Sequence, residues 1–337
     1  MKKPVIKKAL LAVAIVLLLK LPALAQQNIQ FSQYIFNSLS VNPAYAGYKE
    51  ELFAQLALRT QWAGLKGAPQ TGQLSLDGVT ESTKKNVGLG VQITADKLGS
   101  QTANSIYLNY AYRIRLNSDD TKRLSFGLGA GVTNYAIDGA SLRPVETDDP
   151  TVTSGNLSSF VPDARFGVYY SSPRYYVGAS VMDLFSGDVS NDIFNWDTAT
   201  QQNIKRKRHY YIMTGALFEL SEGLKLRPSL LWKEDFKGPS SLDLNAMFVF
   251  ADKFWIGGGV RTGVNLWDKE FRSGQTLSNS NSISGIVQFY ASNRFRIGYS
   301  YDYITSGLSS VQNGSHEITL GLTFPSKLNR LISPRFF

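Results

Sequence analysis

Apolar and polar residues alternate with a period of two along most of this chain, most clearly near its end. Phe295, Ile297, Tyr299, Tyr301 and Tyr303 share one face, and Arg296, Gly298, Ser300 and Asp302 share the other. Ile318, Leu320, Leu322 and Phe324 likewise oppose Glu317, Thr319, Gly321 and Thr323. Successive strand side chains point to opposite faces, so each run predicts a strand with one apolar and one polar side. Fourteen such strands are expected. The first seven are Glu51–Thr60, Gln70–Val79, Asn86–Asp96, Ala103–Leu116, Arg123–Ile137, Pro162–Ser171 and Arg174–Asp183. The other seven are Arg208–Leu220, Leu224–Lys233, Ser241–Ala251, Lys253–Leu266, Ser282–Ala291, Arg294–Tyr303 and His316–Phe324.

The joints carry more information than the strands. After every even-numbered strand the joint is short, as at Ser172-Pro173, Asp252 and Ser292-Asn293. After odd-numbered strands it is mostly long, as at Asp138–Ser159, Leu184–Lys207, Trp267–Asn281 and Ile304–Ser315, with Lys97–Gln101 the brief exception. A soluble sandwich has no reason to sort its loops by parity. A membrane barrel does, because both chain ends stay periplasmic, turns on that side are short and outer loops are long. The fold class expected is therefore all-β, an antiparallel transmembrane β-barrel of about 14 strands over residues 51–324. Its apolar face goes to lipid. Its polar face goes to the lumen, with Arg59, Arg113, Arg115, Arg165, Arg227, Arg261 and Arg296 set among Asp77, Asp163, Asp243, Asp302 and Glu317. Lumenal glycines (Gly127, Gly129, Gly131, Gly257, Gly259) leave room for a plug segment or for large side chains from across the barrel.

The first 25 residues lie outside that pattern. Lys2, Lys3, Lys7 and Lys8 precede the apolar run Ala9–Leu19, and Ala23-Leu24-Ala25 offers a small-x-small cleavage site. This predicts a secretory signal peptide over residues 1–25, with an apolar run too short to span a bilayer. Removing it takes away five basic residues and no acidic ones, so the net charge falls from +9 to +4 and the case for a nucleic-acid partner goes with it. There is no cysteine, so an exported chain takes nothing from disulfides. The 17 Tyr, 19 Phe and 5 Trp suit the aromatic girdles of a barrel. Residues 26–50 lack alternation but are rich in aromatics, which predicts an ordered periplasmic or lumenal segment: a plug, a docking strap, or a piece packed under the barrel floor. Asn42, Pro43 and Tyr45 are its candidate partner-binding residues.

Catalytic chemistry has little support. The two histidines, His209 and His316, belong to no metal or nucleophile motif, and His316 and Glu317, being adjacent on a strand, point to opposite faces. No enzyme activity, metal or cofactor is expected. The acidic stretches Glu146–Asp149 and Asp192–Asp197 lack the spacing of a calcium loop. The basic run Lys205–Arg208 reads as a solvated strand start or a contact for lipopolysaccharide phosphates. The long loop Leu184–Lys207 carries Phe194 and Trp196, which either fold into the barrel mouth or face a partner.

Several stretches resemble one family. Gln30–Tyr48, Arg59-Thr60-Gln61-Trp62, Val177–Phe185, Leu226–Lys233, Asp252–Gly263, Arg296–Ser306, Gly314–Gly321 and the ending Ser333–Phe337 are similar, in order, to the PorP/SprF outer-membrane proteins of the type IX secretion system of Bacteroidetes. The resemblance implies a barrel that works with the secretion and gliding apparatus. It would support export or surface anchoring of a cognate cargo with a C-terminal sorting domain, with periplasmic ring components as partners beside outer-membrane lipid. A porin-like or hydrophobic-solute transport barrel is the alternative. The chain continues past Phe324, so residues 325–337 form a basic periplasmic tail whose Lys327, Arg330, Arg335 and Phe337 are further candidate docking residues.

Overall fold

The computed structural model describes residues 29–80, 84–139, 156–185, 207–236, 238, 240–264, 266, 281–305 and 307–324. From Leu52 onward these form one antiparallel sheet. Its first strands are β1 (Leu52–Thr60), β2 (Gln70–Val79), β3 (Val87–Leu98), β4 (Gln101–Arg115) and β5 (Arg123–Asp138). Then come β6 (Asn156–Ser171), β7 (Tyr175–Met182), β8 (His209–Ala216), β9 (Phe218–Ser221) and β10 (Leu224–Glu234). The last are β11 (Ser240–Phe250), β12 (Phe254–Val264), β13 (Ser282–Tyr290), β14 (Phe295–Ile304) and β15 (Ser315–Phe324). β1 pairs with β15 as well as β2, and β10 with β11, so the sheet closes on itself. Backbone immersed in hydrocarbon requires that closure.

β8 and β9 are two parts of one stave. Gly215 pairs with Ser229 of β10 and Phe218 with Leu226, the same offset on both sides of the gap. The positions unpaired with β10, Ala216 and Leu217, lie opposite Pro228 and Arg227, and Pro228 has no N–H to give. Counted so, the barrel has fourteen staves, as expected. The short joints gather at one end, where Leu52 also faces Phe324 across the closing seam, and the long joints gather at the other. The sixth strand starts at Asn156, six residues before the expected Pro162, because the ladder with β5 runs on from Val132↔Pro162 to Asp138↔Asn156. β7 stops at Met182, which leaves Pro162 paired on one side only, where a strand proline is tolerated.

The faces sort as the alternation predicts. Leu74, Leu108, Leu128, Val260 and Ile318 are exposed on the outside, while Arg59, Arg113, Arg227, Arg296, Asp77, Asp163, Asp243, Asp302 and Glu317 are buried in the lumen. Arg165 and Arg261 are half-buried there. Arg115 is a correction: as the last residue of β4 it is exposed at the short-turn end, where the strand leaves the wall and the pleat no longer directs it inward. The lumen also departs from the expected polar lining along one side, where Met213, Leu231, Met247, Trp255 and Ile286 are buried. Leu108, midway along β4, is 61% exposed. Leu108→Arg should therefore cost about 2–4 kcal/mol, read as a lower urea midpoint for folding into vesicles.

Candidate functional site

The apolar lumenal side has a partner in the N-terminal segment. Residues 29–50 run through the lumen from the long-loop end, where Ile29 and Phe31 lie beside Thr94, Tyr135 and Met182, to the short-turn end, where Glu50 meets Lys85. The segment is packed inside the lumen as a plug. It folds as three single turns of 3-10 helix, Tyr34–Phe36, Ser38–Ser40 and Pro43–Tyr45. Its main-chain bonds are local, as in Phe36 N–H to Gln33 O, so it does not extend the sheet. Tyr34, Ile35, Phe36, Leu39, Val41, Tyr45 and Tyr48 form one core with Met213, Leu231, Met247, Trp255 and Ile286 of the wall. The apolar core of this protein lies inside the barrel. Fully burying each such side chain is worth about 1.5–3 kcal/mol, so the segment is packed as firmly as the centre of a soluble domain.

Three levels of polar contact hold it in register. At the outer level Glu317 accepts from Ser32 N–H (2.8 Å), Gln33 N–H (3.0 Å) and Arg59 Nη1 (3.0 Å). Asp302 accepts from Ser32 Oγ (2.6 Å) and Arg59 Nη2 (2.7 Å). Nearby, Lys233 and Arg261 each reach Asp243 at 3.0 Å. Three cations and three carboxylates, all from the wall, thus balance one another. At the middle level Arg227 donates to Ile35 O (3.2 Å) and Arg296 to Phe36 O (2.7 Å), capping the carbonyls at the end of the first turn. Both guanidiniums lie within 6 Å of the Phe36 ring, at 5.7 and 5.6 Å, which is cation–π range.

The lower level is built on Asn42. Its Oδ1 accepts from Ala44 N–H (2.9 Å) and caps the third turn, with Pro43 in the first position where a missing N–H costs nothing. Its Nδ2 donates to Val168 O (3.0 Å) and Ala179 O (3.3 Å), a directly opposed pair on β6 and β7. Ser180 Oγ donates to Val41 O. Gly47 N–H reaches Asp77 (2.9 Å), and Glu50 meets Lys85 (2.6 Å) and Arg113 (3.3 Å). Here the plug's main chain lies against the wall, which is possible only over glycine. A Cβ on Gly88 would fall on the carbonyl of Ala46, and one on Gly127 on the main chain of Pro43 and Ala44. Burial pushes the Tyr34 and Tyr45 phenols up and keeps them neutral, and it lowers Lys49 to about 7, with Arg296 adding to the effect. Asn42→Ala removes a cap and two wall bonds and leaves both carbonyls with one partner fewer. It should cost about 1–3 kcal/mol, read as a lower melting temperature in detergent.

Asn42, Pro43 and Tyr45 are therefore buried against the wall, where they fix the plug; Tyr45 stacks on Tyr48 (5.0 Å) and sits edge-on to Tyr169 (5.5 Å). Phe194, Trp196, Lys327, Arg330, Arg335 and Phe337 lie outside the described residues, as do residues 1–25, expected as a signal peptide, and both acidic stretches. Among the described residues no group of three or more His, Asp or Glu is placed to hold a metal ion. Reading the sequence missed the middle level. Arg227 and Arg296 were assignable to the lumen, but their targets, two carbonyls 192 and 260 residues away in the chain, leave no local signal.

A profile of the family described as type IX secretion system membrane protein PorP/SprF matches residues 23–322. The chain belongs to the PorP/SprF family. This membership and the barrel fold together make it an outer-membrane protein of the type IX secretion system. No curated protein sequence matches it. Among solved structures the PorP/SprF barrel is similar to the CymD monoaromatic hydrocarbon channel, with 15% identity over 89% of this chain and 94% of that one, at a TM-score of 0.51. It is also similar to the Ralstonia pickettii toluene transporter TbuX (10% identity, 88% and 94% covered, TM-score 0.49). A Pseudomonas aeruginosa FadL homologue gives 12% identity, 87% and 93% covered, and a TM-score of 0.45. At these identities the likeness is one of fold alone.

Proposed function

We propose that this barrel is a closed, non-enzymatic component of the secretion system that supports export or surface anchoring of a cognate cell-surface protein. The cargo carries a C-terminal sorting domain, and the periplasmic partners are the ring components of the machine. The observation that carries this reading is the filled lumen. Among the described residues, a segment packed into the barrel from end to end, and tied at three levels, stands where a solute would have to pass. A conduit for small molecules would need a lined, open passage. The work then falls to the two rims and the outer wall. Purified protein in planar bilayers is expected to show no steady conductance, and in its native membrane it should co-purify with surface cargo and periplasmic proteins. Steady conductance by the intact chain, or uptake of small solutes that is lost on its deletion, would favour a transport barrel instead.

A further inference from the structure

At one level of the outer wall, five adjoining staves carry only small residues. Pro228 pairs with Ala246, Ala246 with Gly258 and Gly258 with Gly285, and Ala216 of β8 stands level with Pro228. The rows two residues away are large and equally in register. Leu226, Phe248, Ile256 and Val287 form one ridge, and Leu230, Leu244, Val260 and Ile283 form the other. Over the row lies a cavity of about 720 Å³ that opens toward lipid, lined by Leu230, Leu244, Val260 and Ile283 of the second ridge and, at the level of the first, by Phe218. Tyr175 pairs with Ala216 and lines one end, and Tyr301 pairs with Gly285 beyond the other end of the row. A Cβ at Gly285 would have nothing within 4 Å, so the space above that end of the row is clear.

We propose that this groove holds a single fatty acyl chain of a membrane phospholipid. The row crosses the middle of each stave, so it sits at mid-depth in the hydrocarbon. Among the outward-facing lining side chains only Thr214 is polar, apart from the Tyr175 phenol at the end, and its hydroxyl already donates to Tyr176 O (2.9 Å). Water has nothing to hold it there, and an empty groove would forfeit dispersion contacts along its whole length. Shape decides among apolar occupants. The ridges are four residues apart, about 13 Å between Cα atoms, and their own side chains take up part of that width. A helix about 10–12 Å across does not fit. At ~4.8 Å per strand the row is about 19 Å long and bends with the wall. A second barrel, itself convex, would touch one or two staves of it. Only a flexible chain follows all five.

The test is native mass spectrometry of the intact protein, taken into detergent from vesicles of palmitoyl-oleoyl phosphatidylethanolamine. One retained phospholipid per barrel is expected. Gly285→Leu and Ala246→Phe, which fill the groove, should reduce retention at least ten-fold, while Leu108→Phe on another part of the wall leaves it unchanged. Vesicles of diphytanoyl phosphatidylethanolamine, whose branched chains are too wide, should likewise leave the unaltered protein bare; this arm needs no variant to fold. No adduct on the unaltered protein, equal retention by the filled variants or of the branched lipid, or lipid-free dimers in its place would each overturn the assignment.

Discussion

A valine at position 127 will open the barrel. In planar bilayers the unaltered protein is expected to stay closed, and Gly127→Val to pass steady current. The reason is steric. A Cβ at Gly127 falls on the main chain of Pro43 and Ala44, and main chain cannot rotate out of the way as the end of a side chain can. Overpacking a well-filled core costs typically 1–3 kcal/mol when side chains can yield. Here the third turn must leave the wall, which also breaks the Asn42 bonds to Val168 and Ala179. Gly88→Val, which meets the carbonyl of Ala46, should act in the same way from two staves further round. Neither change touches the outer face or the ladders, so β content and heat-modifiable migration should be preserved. Gly285→Ala, whose Cβ points into open space, is the silent control. A Gly127→Val barrel that folds normally and stays closed would show that the plug's lower half can shift without unblocking the lumen.

How much of this was legible beforehand follows from what each feature depends on. The barrel is written in two local signals, the period-two alternation and the sorting of joint lengths, and both survive in any stretch of ten residues or any single connection. The closure Leu52↔Phe324 follows from an even count with both ends on one side. The lumenal glycines were legible as spaces but not as to their occupants. Gly127 faces the plug, whereas Gly131 makes room for Tyr107 and Gly259 for Asn245, side chains of neighbouring staves. Gly88, which was not among the glycines assigned to the lumen, has the same role as Gly127, and nothing local distinguishes a glycine under main chain from one under a side chain. The path of residues 29–50 was out of reach for the same reason. Its partners Asp302, Glu317, Arg227 and Arg296 are some 190 to 290 residues away, and only the closed wall brings them together. Buried Met213, Leu231 and Met247 interrupt the polar lumenal face. Those apolar residues on the wrong side of the pleat were the available hint that something greasy fills the middle.

Glu317→Ala should release the other end of the plug. Glu317 is 1% exposed and satisfies three donors at once, the Arg59 guanidinium and the main-chain N–H groups of Ser32 and Gln33. Removing it breaks a buried ion pair and strands two amides. Deleting one member of such a pair costs about 3–5 kcal/mol, because the remaining charge stays out of water without its partner. Arg59→Ala should cost at least as much, since Asp302 and Glu317 then face each other as two buried carboxylates with no cation between them. The double substitution should cost less than the sum of the two, because each removes what the other leaves uncompensated. Glu317→Gln, which keeps an acceptor and loses the charge, should fall between. Hydrogen exchange separates release of the plug from failure of the wall. In Glu317→Ala the amides of Ser32 and Gln33 should exchange rapidly while the β5–β6 ladder stays protected, because no main-chain bond joins those amides to the sheet. If both amides keep their protection in that variant, the outer charge cluster is a feature of the wall alone, and the packing of Tyr34, Ile35 and Phe36 by itself holds the plug in place.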